Sequence, residues 1–210
     1  MSQADSFLRA SFELEEVSLR LHGGPICGVD EAGRGPWAGP VVAAAVVLDP
    51  ANIPVGIEDS KILDADAREW LYPRILASSQ VGVGIADVHR IDRDNILHAT
   101  MWAMQQAVAG LAVLPRLALI DGNRSPLLKC EARAIIKGDA KCLSIAAASI
   151  IAKVTRDRIM ISLGMELPGY GFERHKGYGT PEHIGALARL GVTSYHRRSF
   201  KPVQLALGFG

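Results

Sequence analysis

The chain has 210 residues, 49 % hydrophobic and 21 % charged, with a formal net charge of +1. That balance excludes wholesale disorder and gives the chain as a whole no electrostatic reason to bind a polyanion. Its longest apolar stretch, Trp37 to Leu48, is 12 residues and is interrupted by Gly39 and Pro40, too short for a bilayer span of about 20.

The start, MSQADSFLRASFELEE, lacks a basic segment followed by an apolar one, so no secretory signal is expected. Cys27, Cys130 and Cys142 are an odd number without metal-ligand spacing, which predicts reduced, mostly buried thiols in a cytoplasmic protein. Charge is unevenly spread: residues 1–150 carry 14 basic and 18 acidic side chains, residues 151–210 carry 9 and 4. A basic last third on an acidic body suggests a face for phosphates beside a site that collects carboxylates, though a solvated surface would look the same.

In chain order, Phe7, Leu8, Phe12, Leu14, Leu19 and Leu21 among Glu and Arg predict a helix over 5–21. Ile26 to Asp30 and Val41 to Leu48 read as strands, joined by the turn-rich GRGPWAGP. Asp64 suits the N-cap of a helix over 65–78, which Pro73 should kink or shorten. Val81 to Ala86 is a third strand. Between 92 and 111, Leu97, Met101, Met104, Val108 and Leu111 form one helical stripe for core packing. Leu117 to Ile120 predicts a buried strand ending at Asp121, and Ala132 to Ile136 another, ending just before Asp139. Ala140 to about Leu163 reads as a helix, and Thr180-Pro181 opens another that Gly191 ends. The order implies an α/β fold with a mixed sheet and helices on both faces. No repeat or linker divides the chain, so residues 1–210 are expected to form one domain.

In such folds chemistry gathers where strands end. Three predicted ends deliver acids: Asp30-Glu31, Asp121 and Asp139. Carboxylates brought together repel and raise one another's pKa, and a hard divalent cation with oxygen ligands offsets that cost. Two such ions can activate a water and stabilise a leaving oxygen in phosphodiester hydrolysis. With no His or Cys at a ligand spacing, Mg2+ or Mn2+ is favoured over zinc. Each acid alone also reads as a turn former or helix cap, and spacing leaves their convergence open. Asp30 and Glu31 are strand neighbours and point to opposite faces. Both reach one site only if the strand ends or bulges there, or if Glu31 reaches with its longer side chain or its carbonyl.

GVDEAGRGPWAGPVVAAAV at 28–46, DSK at 59–61, DGN at 121–123, KGDAKCLSIAAASIIAKVTRD at 137–157, HKGYGTPEH at 175–183 and HRRSF at 196–200 together resemble bacterial ribonuclease HII, in that family's order and spacing. The resemblance implies a ribonuclease H-like fold: a central mixed five-stranded sheet flanked by helices, with an N-terminal helix over about 1–22 and a basic, helical C-terminal part over about 165–210. It implies a monomeric, metal-dependent endoribonuclease that cuts the RNA strand of RNA–DNA hybrids. It also implies incision on the 5′ side of ribonucleotides embedded in duplex DNA, leaving 5′-phosphate and 3′-hydroxyl ends. The family's four metal-binding acids match Asp30, Glu31, Asp121 and Asp139, expected to hold two Mg2+ or Mn2+ ions. Its element that senses the ribose 2′-hydroxyl matches Gly33, Arg34 and Gly35. Its junction-reading tyrosine matches Tyr178, and Ser60 and Lys61 fall in its substrate-binding DSK segment. The related ribonuclease HIII usually has threonine at the position of Arg34.

Glycines suit close main-chain approach to a ribose, and a tyrosine ring suits stacking on a sugar. Lys61, Lys153, Arg156, Arg174, Lys176, Arg197 and Arg198 are candidates to track a phosphate backbone, about half of them in contact. Trp37 is expected to pack in the core. His175, His183 and His196 stand outside the catalytic set, and Asp157 is expected to pair with an arginine neighbour, Arg156 or Arg158. Two other classes remain: a DNA resolvase-like nuclease of the same fold, which would keep the acids without the ribose-sensing turn, and a non-catalytic nucleic-acid-binding module.

Overall fold

The computed structural model describes residues 10–209. Positions 5–9 of the expected first helix lie outside them. Within them, α1 (Glu13–His22) ends at Gly23, whose left-handed φ of 63° closes the helix. Glu15 is buried and accepts from both the backbone N–H and the hydroxyl of Ser144, each at 2.7 Å, which ties α1 to the rest of the molecule.

Five strands form the predicted mixed sheet: β1 (Ile26–Ala32), β2 (Val41–Leu48), β3 (Ser79–Ala86), β4 (Leu117–Asp121) and β5 (Glu131–Ile135), in spatial order β3-β2-β1-β4-β5. β1–β2 and β2–β3 are antiparallel, the first pair joined by a short turn-rich loop and the second through α2 (Ala65–Ser78); β1–β4 and β4–β5 are parallel. β2 is buried on both faces, hence its unbroken apolar run. Val41, Ala43 and Ala45 face α3 (Val88–Ala109); Val42, Ala44 and Val46 face α2 (Ala65–Ser78) and α4 (Leu143–Glu166).

Small residues let the helices touch the sheet's backbone. A Cβ on Gly84 would lie 2.0 Å from the Ala103 carbonyl oxygen on α3, and one on Gly28 would lie 2.1 Å from the Ser144 carbonyl carbon on α4. The structure corrects several boundaries. Asp64 caps α2 as expected, accepting from Ala67 N–H at 2.7 Å, but Pro73 does not shorten the helix. Pro73 and Glu69 lie on its solvent face, where the carbonyl that proline leaves unbonded can meet water, while Leu71 and Ile75 anchor the buried face. α3 begins four residues before the predicted start, capped by Asp87. It breaks at Asn95 (φ 63°), whose Oδ1 accepts from Leu97 and His98 N–H and so starts the helix again. A 3₁₀ turn, Gly138–Ala140, precedes α4. The C-terminal part is helical as expected: α5 (Phe172–His175), α6 (Pro181–Leu190, capped by Thr180) and α7 (Lys201–Ala206). Neither α5 nor α7 carries a periodic signal of its own.

Candidate active site

Parallel pairing puts the C-terminal ends of β1, β4 and β5 on one edge of the sheet. Asp30 lies on the face of β1 that turns toward α4, in line with Ile26 and Gly28, and is 4 % exposed. Asp121 ends the neighbouring strand. Beyond β5, Lys137 adopts a left-handed φ of 55° and the 3₁₀ turn brings Asp139 back. Gly138 N–H donates to Asp121 Oδ1 at 2.6 Å, and Gly122 N–H donates to Ile135 O at 3.0 Å, which locks the two turns together. Carboxylate oxygens of Asp30, Asp121 and Asp139 all lie within 4.8 Å of one another. Three of the four expected acids therefore converge.

Glu31 stands apart from that cluster. β1 neither ends nor bulges at it: Asp30 pairs with Ala44, Glu31 with Ala43 and Ala32 with Val42 in regular register. Its side chain is directed away from Asp30 and meets Arg34 Nη1 at 3.2 Å. It is still close enough to feel the charge of Asp121.

Burial, then the charges of Glu31, Asp121 and Asp139, push the Asp30 carboxyl well above its usual range. Burial raises Glu31, against the opposing pull of Arg34. Burial and the Asp139 charge raise Asp121. Lys61 Nζ hydrogen-bonds Asp139 and lies 3.5 Å from Asp59. Burial pulls the Lys61 ammonium down, but the bond to Asp139 and the charges of Asp139, Asp59 and Asp30 outweigh it, so its pKa rises. A buried set of mutually repelling oxygen donors is costly alone, and its chemistry fits a hard divalent cation.

The turn after β1 is held from behind. Gly33 has φ 94°, and a Cβ there would lie 1.9 Å from Arg156 Nε. Arg156 and Arg197, both fully buried, are therefore not backbone trackers, which corrects the expectation for them. Arg156 donates to the carbonyls of Pro40 (2.9 Å), Ala38 (3.2 Å) and Lys176 (3.0 Å). Arg197 donates to those of Gly39 (3.0 Å), Arg34 (2.8 Å), Gly33 (2.5 Å) and Pro40 (3.2 Å). Burial pulls Arg156 down to about 10, and burial with the charge of Arg156 pulls Arg197 down to about 9, so both stay charged at neutral pH. Sequence marks these residues as basic; only the packing shows them as struts.

Tyr178 is 47 % exposed, and its ring lies 3.6 Å from where a Cβ of Gly35 would stand. The expected sugar-reading partners are thus side by side. Trp37, expected in the core, is only partly buried and packs against the Tyr178 loop: a Cβ on Gly179 would meet its ring at 2.1 Å, and its backbone N–H donates to Gly177 O at 2.8 Å. A cleft of about 360 Å³ lined by Glu31, Gly33, Ser60, Lys61, Lys153 and Tyr178 opens on one side. A second, of about 300 Å³, lies on the other side of Glu31 and includes Arg34, Asp121, Asn123 and Arg124. Leu97 and Met101, expected in the core stripe, line this second cleft. Ser60 is held by its backbone, with N–H donating to Ser149 Oγ at 3.2 Å and O accepting from Arg68 at 2.7 Å.

Of the other basic candidates, Arg174 pairs with Glu173 and Glu182, Lys176 bonds Glu173 O, and Arg198 is exposed. Asp157 pairs with Lys153 at 2.8 Å, not with either neighbouring arginine. Arg68 and Arg124 line the clefts although no motif singled them out; their only sequence signal is nearness to DSK and DGN.

A family model described as Ribonuclease HII matches residues 27–203. A "Ribonuclease HII" of Azorhizobium caulinodans is 57 % identical over 92 % of this chain and 75 % of its own length. One of Parvibaculum lavamentivorans is 58 % identical over 95 % and 73 %. The crystal structure of the ribonuclease H2 from Pyrococcus horikoshii superposes with a TM-score of 0.75 at 29 % identity, over 86 % of this chain and 96 % of that one. Acids gathered at one sheet edge beside a glycine turn are what a metal-dependent ribonuclease needs, and with most of its length matched at such identity the chain belongs to the ribonuclease HII family.

Proposed function

We propose that this endoribonuclease incises duplex DNA on the 5′ side of a single embedded ribonucleotide as well as cutting the RNA strand of RNA–DNA hybrids, with Asp30, Glu31, Asp121 and Asp139 as its acids. The reading rests on one juxtaposition: three carboxylates with oxygens within 4.8 Å, next to a glycine turn on which Tyr178 rests. As a ribonuclease HII it depends on a divalent metal. When bound, two Mg2+ or Mn2+ ions supply an activated water and neutralise charge on the departing 3′ oxygen. Asp30, Asp121 and Asp139 would hold them, and Glu31 would add its carboxylate from the opposite strand face, near Asp121. Gly33 and Gly35 bring main-chain polar groups within reach of the ribose 2′-hydroxyl, the feature that separates RNA from DNA. Arg34 meets the adjoining phosphate, Tyr178 packs on the following sugar, and Ser60 and Lys61 bind backbone in the cleft. The products carry 5′-phosphate and 3′-hydroxyl ends.

We place its action in the cytoplasm as a single-domain monomer. Among the described residues no helix is long and apolar enough to cross a membrane, and Cys27, Cys130 and Cys142 are free thiols.

The test is a duplex holding one ribonucleotide against its all-DNA twin, with Mg2+, Mn2+ or chelator. Cleavage of the first alone, abolished by chelator, is expected. Equal cutting of both would identify a DNA nuclease instead, and no cutting with either metal would identify a binding module. Tyr178→Ala should slow incision at the lone ribonucleotide by about 10-fold or more; an unchanged rate removes Tyr178 from the site.

A further inference from the structure

Two neighbouring residues outside the acid cluster each end on one half of the sugar-reading pair. Arg197 donates to the carbonyls of Gly33 and Arg34, which sets the turn. His196, immediately before it, starts a chain of hydrogen bonds that ends at Tyr178. Thr193 N–H donates to His196 Nδ1 at 3.0 Å, so the proton of that ring sits on Nε2. Nε2–H then donates to His183 Nε2 at 3.0 Å. That leaves the His183 proton on Nδ1, from which it donates to the Tyr178 carbonyl at 3.0 Å.

The Thr193 hydroxyl also donates to His196 Nδ1, at 2.9 Å, so that nitrogen accepts twice and the relay from it to Tyr178 runs in one direction. The rings are closely packed: His183 and His196 are buried, Phe172 and His183 meet edge to face with centroids 5.5 Å apart, and His175 stacks on His183 at 4.7 Å. His175 adds a second hold on the same loop, accepting from Gly177 N–H at 3.2 Å. His183 is the third residue of α6 and Tyr178 lies two residues before its Thr180 cap, so the relay ends on the backbone of the residue whose exposed ring lies against Gly35.

We propose that His196 and His183 are positioning residues for sugar recognition, fixing Tyr178 against the Gly33–Gly35 turn that Arg197 holds. The inference rests on the reading that Tyr178 contacts the substrate. The relay acts on the tyrosine's place and not on the acids, so its loss should be felt only while the tyrosine ring is present.

The experiment is a double-mutant cycle on the full chain, reading kcat/KM for incision at a lone ribonucleotide with saturating Mg2+. His196→Leu should cost about 10-fold in the wild-type background and less than about 2-fold in the Tyr178→Ala background. His196→Gln, which keeps an N–H near the Nε2 position, should recover most of the loss. An equal cost in both backgrounds would overturn the proposal, because it would mean general damage to the fold. A Tyr178→Ala variant with wild-type activity would remove the underlying reading and this inference with it, and that result is visible in the single variant alone. Should His196→Leu fail to fold by circular dichroism, His183→Leu takes its place in the cycle, with His183→Asn, which keeps an N–H near Nδ1, as the rescue; the same two outcomes decide.

Discussion

At the scale of single residues, Asp30 pays for its function with stability. It is buried, it neighbours three like charges, and its carboxyl is driven upward by burial first and by Glu31, Asp121 and Asp139 next. Ionised Asp30 therefore works against the fold at neutral pH when no cation balances it. Asp30→Asn should raise the thermal midpoint of the metal-free protein at pH 7.5 by a few degrees, read by calorimetry, while lowering ribonucleotide incision by more than about 100-fold. The same scan with Mg2+ or Mn2+ should lift the wild-type midpoint and lift that of the variant less. A variant no more stable than wild type without metal would show that the acid cluster is not strained. Asp30 and Asp121 were recognisable as acids at strand ends. Glu31 was expected among the metal-binding acids, with strand alternation as the obstacle; the regular register of β1 and the bond to Arg34 show that the obstacle stands.

At the scale of elements, the site depends on how closely α4 lies on β1. Gly28 has no side chain because the α4 backbone at Ser144 occupies that place. Gly28→Ala should cost at least about 2 kcal/mol in urea denaturation, since the added methyl meets backbone and not a movable side chain. It should also lower activity, because Asp30 lies two residues along the same strand face. Full stability in Gly28→Ala would mean that α4 can shift freely. Helix patterning located α4, yet the contact itself was not legible: a glycine in a strand reads as a bulge or a close approach, and sequence does not say to what. Pro73 and Asn95 mislead in a related way. Local rules end or run a helix through such residues, but the solvent face of α2 tolerates the proline and the Asn95 side chain restarts α3.

At the scale of the whole molecule, the C-terminal part acts as a brace. The basic residues of the last third looked like a phosphate-tracking face, but Arg156 on α4 and Arg197 in the C-terminal part direct their donors to main-chain carbonyls of the 33–40 segment and of Lys176. Its buried histidines make the fold sensitive to acid. Burial, then the neighbouring His183, holds His196 down at about 4 against an ordinary 6.5. The unfolded chain takes up that proton first, so the stability His196 contributes is complete above about pH 6.5 and lost as pH falls toward 4. A displacement of that size is worth up to about 3 kcal/mol. Raised carboxylates such as Asp30 act with the opposite sign, gaining stability as pH falls, so the comparison must isolate the histidine. The stability advantage of wild type over His196→Gln should shrink by about 2–3 kcal/mol between pH 7.5 and pH 4 in urea titrations. A constant difference would place His196 in a solvated setting.

Local chemistry by itself determined the strands, the caps at Asp64 and Thr180, the acids near the ends of β1 and β4, and the family, because periodicity, turn residues and motif order are properties of neighbouring residues. Tertiary structure alone decided which acids meet, which arginines face water and which are struts, and that two histidines reach Tyr178. Those outcomes depend on parallel pairing between strands about 90 residues apart in the chain and on burial by helices from its far end. Charge type can be read one residue at a time; desolvation cannot, since it belongs to whatever the rest of the chain places around that residue.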